Sequence, residues 1–528
     1  MSFNDQLRLT GLLLMTAMAG CGGGGASTSP AKFSVGGSVN GLLVGSVSLQ
    51  LNDIETVRVE SNGAFIFRTS LPAGANYVVT RVFPPPPFDW SQQVCSVSNS
   101  NGTVVTNVTD VSVNCTTPDR SNVAMISNTP GSELQLAIHA SGTAFAVWVT
   151  TQRDSGRKDI WANRFVVDSG WGTPVLLESN DVGSAHGPKI AMDAAGNAVA
   201  VWAQYDGTQF DIWESRYSID SGWSPATLVE RNGVIPDLAI DANGNVLVVW
   251  ARSDGAHSTI WGNRYVPGSG WRTASIVGGA GNAAGFSDLA MDASGNAIAV
   301  WTQFNSADVY SNIWANHYSV GAGWGTATVI GSGTSVVVEH ASVAIDPFGN
   351  AVAVWQQMGG ASVSNNIWSN RYVAGSGWST ATSIQTGSGP ASTPEVAVDM
   401  NGNALAVWRQ PDLARVSIWA NRYVAGRGWG AGTLIESDSS GDASAPELVL
   451  HAGGNALVVW PQIDRFNRTH LWANRYSPVS GWGQVTLVQD NVDTVPPISV
   501  APNANGSNLV SWSESQEKLA GIWVRYVD

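Results

Sequence analysis

Apolar and polar residues alternate in short runs along almost the whole chain, and from residue 120 onward four such runs recur in a fixed order. In the second copy they are 189–193 (KIAMD), 198–204 (AVAVWAQ), 211–217 (DIWESRY) and 226–230 (ATLVE). A period of two sends successive side chains to opposite faces, so each run reads as a β-strand, here a, b, c and d. Strands a and b are joined by Asp-x-x-Gly-Asn, in which Gly supplies the positive φ of a tight turn and Asp accepts from the backbone. A Gly-rich turn ending in Gly-Trp joins c to d. Connections this short predict antiparallel meanders.

Tryptophan gives the number of copies. Trp148, Trp202, Trp250, Trp301, Trp355, Trp408, Trp460 and Trp512 close strand b at spacings of 48 to 54 residues, and each is followed by an Ile-Trp-Ala-Asn-Arg-Tyr-like strand c. A repeat of this length built from short strands cannot bury its own apolar face and must stack on its neighbours. The eighth copy stops at Asp528 before a strand d, while 122–127 (NVAMIS) stands before the first strand a, where a d strand would lie. A missing strand at one end and a spare one at the other predict an all-β fold: an eight-bladed β-propeller closed by an N-terminal strand. Closure of that kind removes exposed sheet edges. An open array, or seven blades with an extra unit, is the competing arrangement.

Residues 33–117 carry another series of short alternating runs, which predicts a small β-sandwich ahead of the repeats at 120–528. The stretch VESNGAFIFRTSLPAGANYVVTRV in it resembles the carboxypeptidase-regulatory or transthyretin-like sandwich family, a resemblance that implies a spacer or adhesion module. Pro84 to Pro87 reads as a stiff loop. Further upstream, 9–20 (LTGLLLMTAMAG) is a short apolar segment ending in small residues before Cys21. With Met18-Ala19-Gly20-Cys21 it resembles a bacterial lipoprotein signal. That resemblance implies a cleaved leader at 1–20, acylation of Cys21, a flexible linker at 21–32 and the outer membrane, since no Asp follows Cys21. An ordinary secretory leader is the other reading of this segment.

Of three cysteines, Cys21 is thus assigned to lipid, leaving Cys95 and Cys115 as an even pair in an oxidising compartment. A disulfide is expected, with two buried free thiols as the alternative. Neither has a second Cys or a His at metal spacing, so no metal is expected. Charged residues make up 12% of the chain and the net charge is -14, which excludes a phosphate-tracking surface and hence nucleic acid.

Comparison among the copies separates scaffold from variable chemistry. The a–b turns are nearly uniform, with His139, Asp193, Asp241, Asp292, Asp346, Asp399, His451 and Asn503 at one offset, and so are the c–d turns. The b–c and d–a loops differ in every copy, and in a meander they emerge on the face opposite the uniform turns, which marks that face for binding. The polar residues two after the b-strand Trp open towards it: Gln204, Gln303, Gln357, Gln410, Gln462 and Glu514. They are the candidate ligand-binding residues, and strand-end side chains satisfied within the fold are the competing account.

The repeated Trp residues are expected to pack between blades rather than to stack on sugars. Arg164, Arg216, Arg264, Arg371, Arg422 and Arg475 are expected to pair with the a–b Asp residues. Asp241-Ala-Asn243-Gly-Asn245 brushes against calcium-loop spacing but lacks a distal acidic ligand, so it reads as a turn. No catalytic motif is present. The repeats superficially resemble those of eight-bladed quinoproteins, but Ala191, Asp193, Gly196 and Trp202 sit at other offsets and the Thr-Gly-Lys is absent. No cofactor is therefore expected.

The sequence points to a non-enzymatic, lipid-anchored scaffold that docks a protein or glycan on the variable face. The alternative is a polysaccharide hydrolase or lyase with carboxylates near the propeller axis, for which Asp206, Asp254, Asp308, Asp412 and Asp464 are loop candidates.

Overall fold

The structure, a computed structural model, describes residues 31–42, 46–52, 54–82, 94–116, 123–178, 183–253, 255, 257–279, 284–304, 311–332, 338–358, 365–387, 389–412, 415–436, 441–464, 466–492, 497–503, 506–515 and 520–527. The leader, Cys21, Pro84 to Pro87, Asn122, Asp254 and Asp308 lie outside them. Among the described residues the fold is all-β.

The N-terminal part is a pair of four-stranded sheets. One runs Gly63–Ile66, Val35–Asn40, Val108–Thr116, Val94–Ser98, and the other Glu55–Val59, Val47–Leu51, Asn76–Val82, Asn101–Thr103. Val35, Val111 and Val113 of the first share one core with Val47, Leu49 and Val79 of the second, so the sheets pack face to face. Cys95 and Cys115 are disulfide-bonded between directly paired residues of adjacent strands. Strand Asn101–Thr103 ends where the Val104 N–H turns to bond the Ala75 carbonyl at 2.8 Å.

Eight sheets follow among the described residues. In the second, Ala185–Met192, Ala198–Tyr205 and Phe210–Ser218 are strands a, b and c, and both Gly222–Trp223 and Thr227–Glu230 pair on the outer side of c. The eighth has Ile498–Pro502, Asn508–Glu514 and Gly521–Val527, and its outer strand is Val123–Ser127, antiparallel to Gly521–Val527. The first strand of every sheet lies beside that of the next, and Ile498–Pro502 lies beside Ser132–Ile138 of the first sheet.

What joins the sheets is already written in their strands. Each b-strand Trp is buried in a core built mainly by the preceding sheet: Trp202 against Val147, Val149 and Ile160, Trp301 against Leu247, Val249 and Ile260. Trp148 of the first sheet enters the core of the eighth, beside Leu509, Ile522 and Ile126. Strand c adds polar clasps. Asn421 Nδ2 donates to the Ile384 carbonyl of the preceding sheet at 2.8 Å and to Gly430 O at 3.0 Å. Asn316, Asn370 and Asn474 reach the preceding d strand in the same way, and Asn163 reaches Ile126 of the closing strand at 3.0 Å. In the eighth sheet Arg525 stands in the Asn position and donates to the Val488 carbonyl.

The arginines correct one expectation. Arg264 keeps a 3.9 Å contact with Asp241, but the dominant geometry lays five of the six guanidiniums, all but that of Arg475, over the Tyr of the next sheet, such as Arg164 over Tyr217 at 4.9 Å and Arg422 over Tyr476 at 5.4 Å. The Asp side chains are already committed. Asp241 Oδ1 accepts from the N–H groups of Asn243 and Asn245 at 2.9 Å and Oδ2 from Asn245 Nδ2 at 2.7 Å, around Gly244 at φ 78°. The turn is structural, as its spacing suggested, and a guanidinium gains more over an aromatic face than beside a satisfied carboxylate.

Replacing Asn421 by Ala removes the donor to the buried Ile384 carbonyl and to the exposed Gly430 carbonyl. A loss of about 1–3 kcal/mol is expected in urea unfolding, from the usual cost of orphaned buried polar groups.

Candidate functional site

The six strand-end candidates share one geometry. Residues two apart on a strand lie on the same face, and each side-chain oxygen accepts the indole N–H of its Trp: Gln204 from Trp202 at 3.2 Å, Gln303 from Trp301 at 3.2 Å, Gln357 from Trp355 at 3.0 Å. Gln410, Gln462 and Glu514 do the same for Trp408, Trp460 and Trp512 at 2.9, 3.1 and 2.8 Å. The amides of Gln410 and Gln462 also donate to the Thr386 and Gly441 carbonyls. A ligand at these positions would compete with bonds that hold the buried indoles. The third sheet tests the rule: Arg252 cannot accept, and Trp250 Nε1 has no partner among the described residues.

Beyond these, the variable ends of the sheets carry different clusters on a common frame. In the first sheet buried Asp159 holds Arg157 at 2.8 Å, and burial followed by the Asp159 hydrogen bond pushes the Glu178 carboxyl up to about 9. In the second, Asp211 accepts from Gln209 Nε2 at 3.0 Å and the Asn232 N–H at 2.9 Å. In the seventh, His470 lies between Asp490 at 2.6 Å and Asp464 at 3.3 Å. Burial alone would lower His470, but its bonds to the two carboxylates outweigh that and hold it above its ordinary value. Of the loop carboxylates proposed from sequence, the three among the described residues, Asp206, Asp412 and Asp464, do not converge. Asp206 caps its own loop through Thr208 and Gln209, Asp464 is bound by Arg468 and His470, and Asp412 ends a strand of the sixth sheet.

A different set of carboxylates does converge. One register position of strand a, four residues before the a–b turn residue, is Gln135, Lys189, Asp237, Asp288, Ser342, Glu395, Glu447 and Ser499 in the eight sheets. Lys189 Nζ contacts Asp237 at 3.3 Å and also feels Asp288 and Glu447, which belong to the fourth and seventh sheets, so these groups face one interior space. Asp288 accepts from the Val343 N–H of the next sheet at 2.7 Å, Glu395 from Leu448 at 2.9 Å, and Ser499 from Leu136 at 3.2 Å.

Enclosure by the surrounding strands, followed by neighbouring acids, pushes Asp288 up to about 7 and Glu395 well above its usual range, and enclosure alone pushes Glu447 up to about 7. Carboxyls at such values can give and take protons near neutrality. Sequence inspection missed them because attention fell on the loops, although the constant offset was readable. Among the described residues no group of three or more His, Cys, Asp or Glu is placed to hold a metal ion.

No protein-family model matches the chain, and no curated protein matches it. Solved structures similar to it include an ulvan lyase of a polysaccharide lyase family (10% identity, 76% of this chain and 95% of that chain, TM-score 0.47). They also include a lectin from Burkholderia pseudomallei (13%, 68% and 99%, TM-score 0.44). A protein of unknown function from Dyadobacter fermentans is a third (11%, 57% and 97%, TM-score 0.36). These likenesses are too distant to assign an activity.

The interior carboxyls give a signed pH dependence. Their folded values lie above the unfolded values near 4, so the stability they contribute is full below about pH 4 and falls as pH rises through about 7. The melting temperature is expected to decline from pH 5 to pH 8, and Asp288→Asn should flatten that decline in a melting series across the range.

Proposed function

We propose that this chain is a lipid-anchored binding scaffold of the cell envelope that docks a glycan or a protein. In this reading the eight sheets are the blades of an eight-bladed β-propeller closed by Val123–Ser127, and the sandwich is a spacer from an outer membrane held through acylated Cys21. The lodging of Trp148 in the eighth sheet and the contact of the eighth first strand with the first support the propeller. The observation that carries the binding role is the contrast between the two ends of the sheets. One end repeats the same Asp turn and Asn clasp, while the other places Asp159 with Glu178, Asp211 with Asn232, or His470 with Asp490 on the same frame. Invariant backbone with varied polar side chains is the layout of a recognition surface.

The interior carboxyls favour a second reading, a polysaccharide hydrolase or lyase, in which Glu395, Glu447 or Asp288 exchange protons with substrate in the central space.

A glycan and envelope-protein array decides between them. Binding by the purified protein should fall at least tenfold when exposed Arg153, Asp154, Thr208 and Arg231 are all changed to Ala. Unchanged binding would remove the variable face from the proposal. Release of reducing ends or unsaturated products from polysaccharides by the wild type, abolished in Glu447→Gln, would replace scaffold by enzyme. Separately, Cys21→Ser should shift the protein from the membrane fraction to the soluble one on cell fractionation.

A further inference from the structure

The fourth sheet breaks the clasp pattern at a single residue. Where six of the others carry Arg and the eighth Tyr526, it carries His317. Guanidiniums lie over the next sheet's Tyr at 4.9 Å (Arg164 over Tyr217), 3.3 Å (Arg216 over Tyr265), 5.4 Å (Arg264 over Tyr318) and 5.6 Å (Arg371 over Tyr423). The shorter imidazole instead stacks on Tyr372, centroids 5.2 Å apart and planes at 23°. A cavity of about 520 Å³ opens there on the c–d turn side, walled by Trp324 and Trp378 with His317, Tyr372, Asn316 and Gly325. That volume lies within the range small ligands occupy, about 300–1,000 Å³.

A second observation sets the chemistry. Asn316 is 3% exposed, and its Oδ1 has no hydrogen-bond partner among the described residues, although its Nδ2 is held by the Val277 and Gly325 carbonyls. In the first, third, fifth and seventh sheets the equivalent oxygen accepts the N–H of the following Arg at 2.7–2.8 Å, and in the fifth also the Ser379 hydroxyl at 2.8 Å. In the sixth, Asn421 Oδ1 is likewise unpartnered, but Arg422 covers the neighbouring ring. Only around Asn316, among the described sheets, does an orphaned buried acceptor coincide with a ring covered by the shorter imidazole in place of a guanidinium.

We propose that this pocket is a binding site for a neutral pyranose, separate from the variable face. One C–H face of the sugar lies on the half-buried indoles of Trp324 and Trp378, and a hydroxyl donates to Asn316 Oδ1. Flat indoles suit an apolar ring face, and a buried acceptor gains most from a donor that displaces no other bond. Ser319 Oγ occupies His317 Nδ1 at 3.1 Å, leaving Nε2 towards the ligand. Burial lowers His317 against the opposing pull of Asp292 and so disfavours the charged imidazolium, and among the described residues no Lys or Arg lines the cavity. An anionic sugar would lose its hydration there without a counter-charge.

The experiment titrates the full chain with methyl glycosides of neutral hexoses, 6-deoxyhexoses and N-acetylhexosamines, and with methyl glucuronide, following Trp fluorescence and saturation-transfer NMR. Two variants copy features that other sheets already tolerate. His317→Arg restores the guanidinium over Tyr372. Gly325→Ser places a hydroxyl beside Asn316 Oδ1, since a Cβ at Gly325 lies 3.4 Å from that oxygen. At least one neutral glycoside should bind the wild type, tenfold or more weakly to both variants, with melting temperatures no lower than wild type. If His317→Arg does not fold, Gly325→Ser alone decides. The alanine set at Arg153, Asp154, Thr208 and Arg231 should leave this binding intact, which separates this site from the variable face. Failure of every neutral glycoside, equal binding to both variants, or preference for the glucuronide overturns the proposal.

Discussion

Burial of one indole per junction is the constraint on which the structure depends. No sheet here has a thick core of its own, because strands b and c are apolar on both faces and each needs a neighbouring sheet to cover it. The b-strand Trp meets that need by reaching across, and its size makes the junction energetically dominant: roughly 150–250 Å² of apolar surface per indole, at about 25 cal/mol per Å². An indole N–H buried that deeply gains from an acceptor, and in seven of the eight sheets the residue two on supplies it; Trp250, followed by Arg252, is the exception among the described residues. The Gln, Glu and Thr at that position follow from the Trp, and their repetition carries structural information before it carries any about ligands.

Strand c adds specificity to this non-directional packing. Asn, Arg and Tyr in the Ala-Asn-Arg-Tyr segment point respectively to the preceding d strand, the following Tyr and the preceding Arg, so each copy reads both neighbours. The eighth copy departs from the wording yet keeps the contacts, with Arg525 in the Asn role and Tyr526 against Phe165 at 5.6 Å. Interaction geometry is thus held more tightly than residue identity.

That distinction explains what could be read from the chain. Strand limits, the turn around Asp241 and the composite sheet of Val123–Ser127 with Gly521–Val527 follow from period and punctuation, which are local. The destination of the arginines was not legible, because stacking on a ring in the next sheet is a relation between copies about 50 residues apart. The interior carboxyls were hidden for the same reason: Lys189, Asp288 and Glu447 come together only when the sheets stand side by side. The Gln and Glu positions were visible, but their indole partners, two residues away on the same strand face, turn them inward.

The composite eighth sheet also sets an order on folding. Val123–Ser127 is made well before its partner Gly521–Val527, and Gly131 donates to Ser513 across 382 residues of sequence. Until Asn508–Glu514 and Gly521–Val527 exist, Trp148 lacks the sheet that should cover it and Val123–Ser127 lacks the strand it pairs with. Loop closure over that span is slow relative to hairpin formation. Completion of the eighth sheet, and with it the burial of Trp148, therefore depends on both ends of the repeat region being present together.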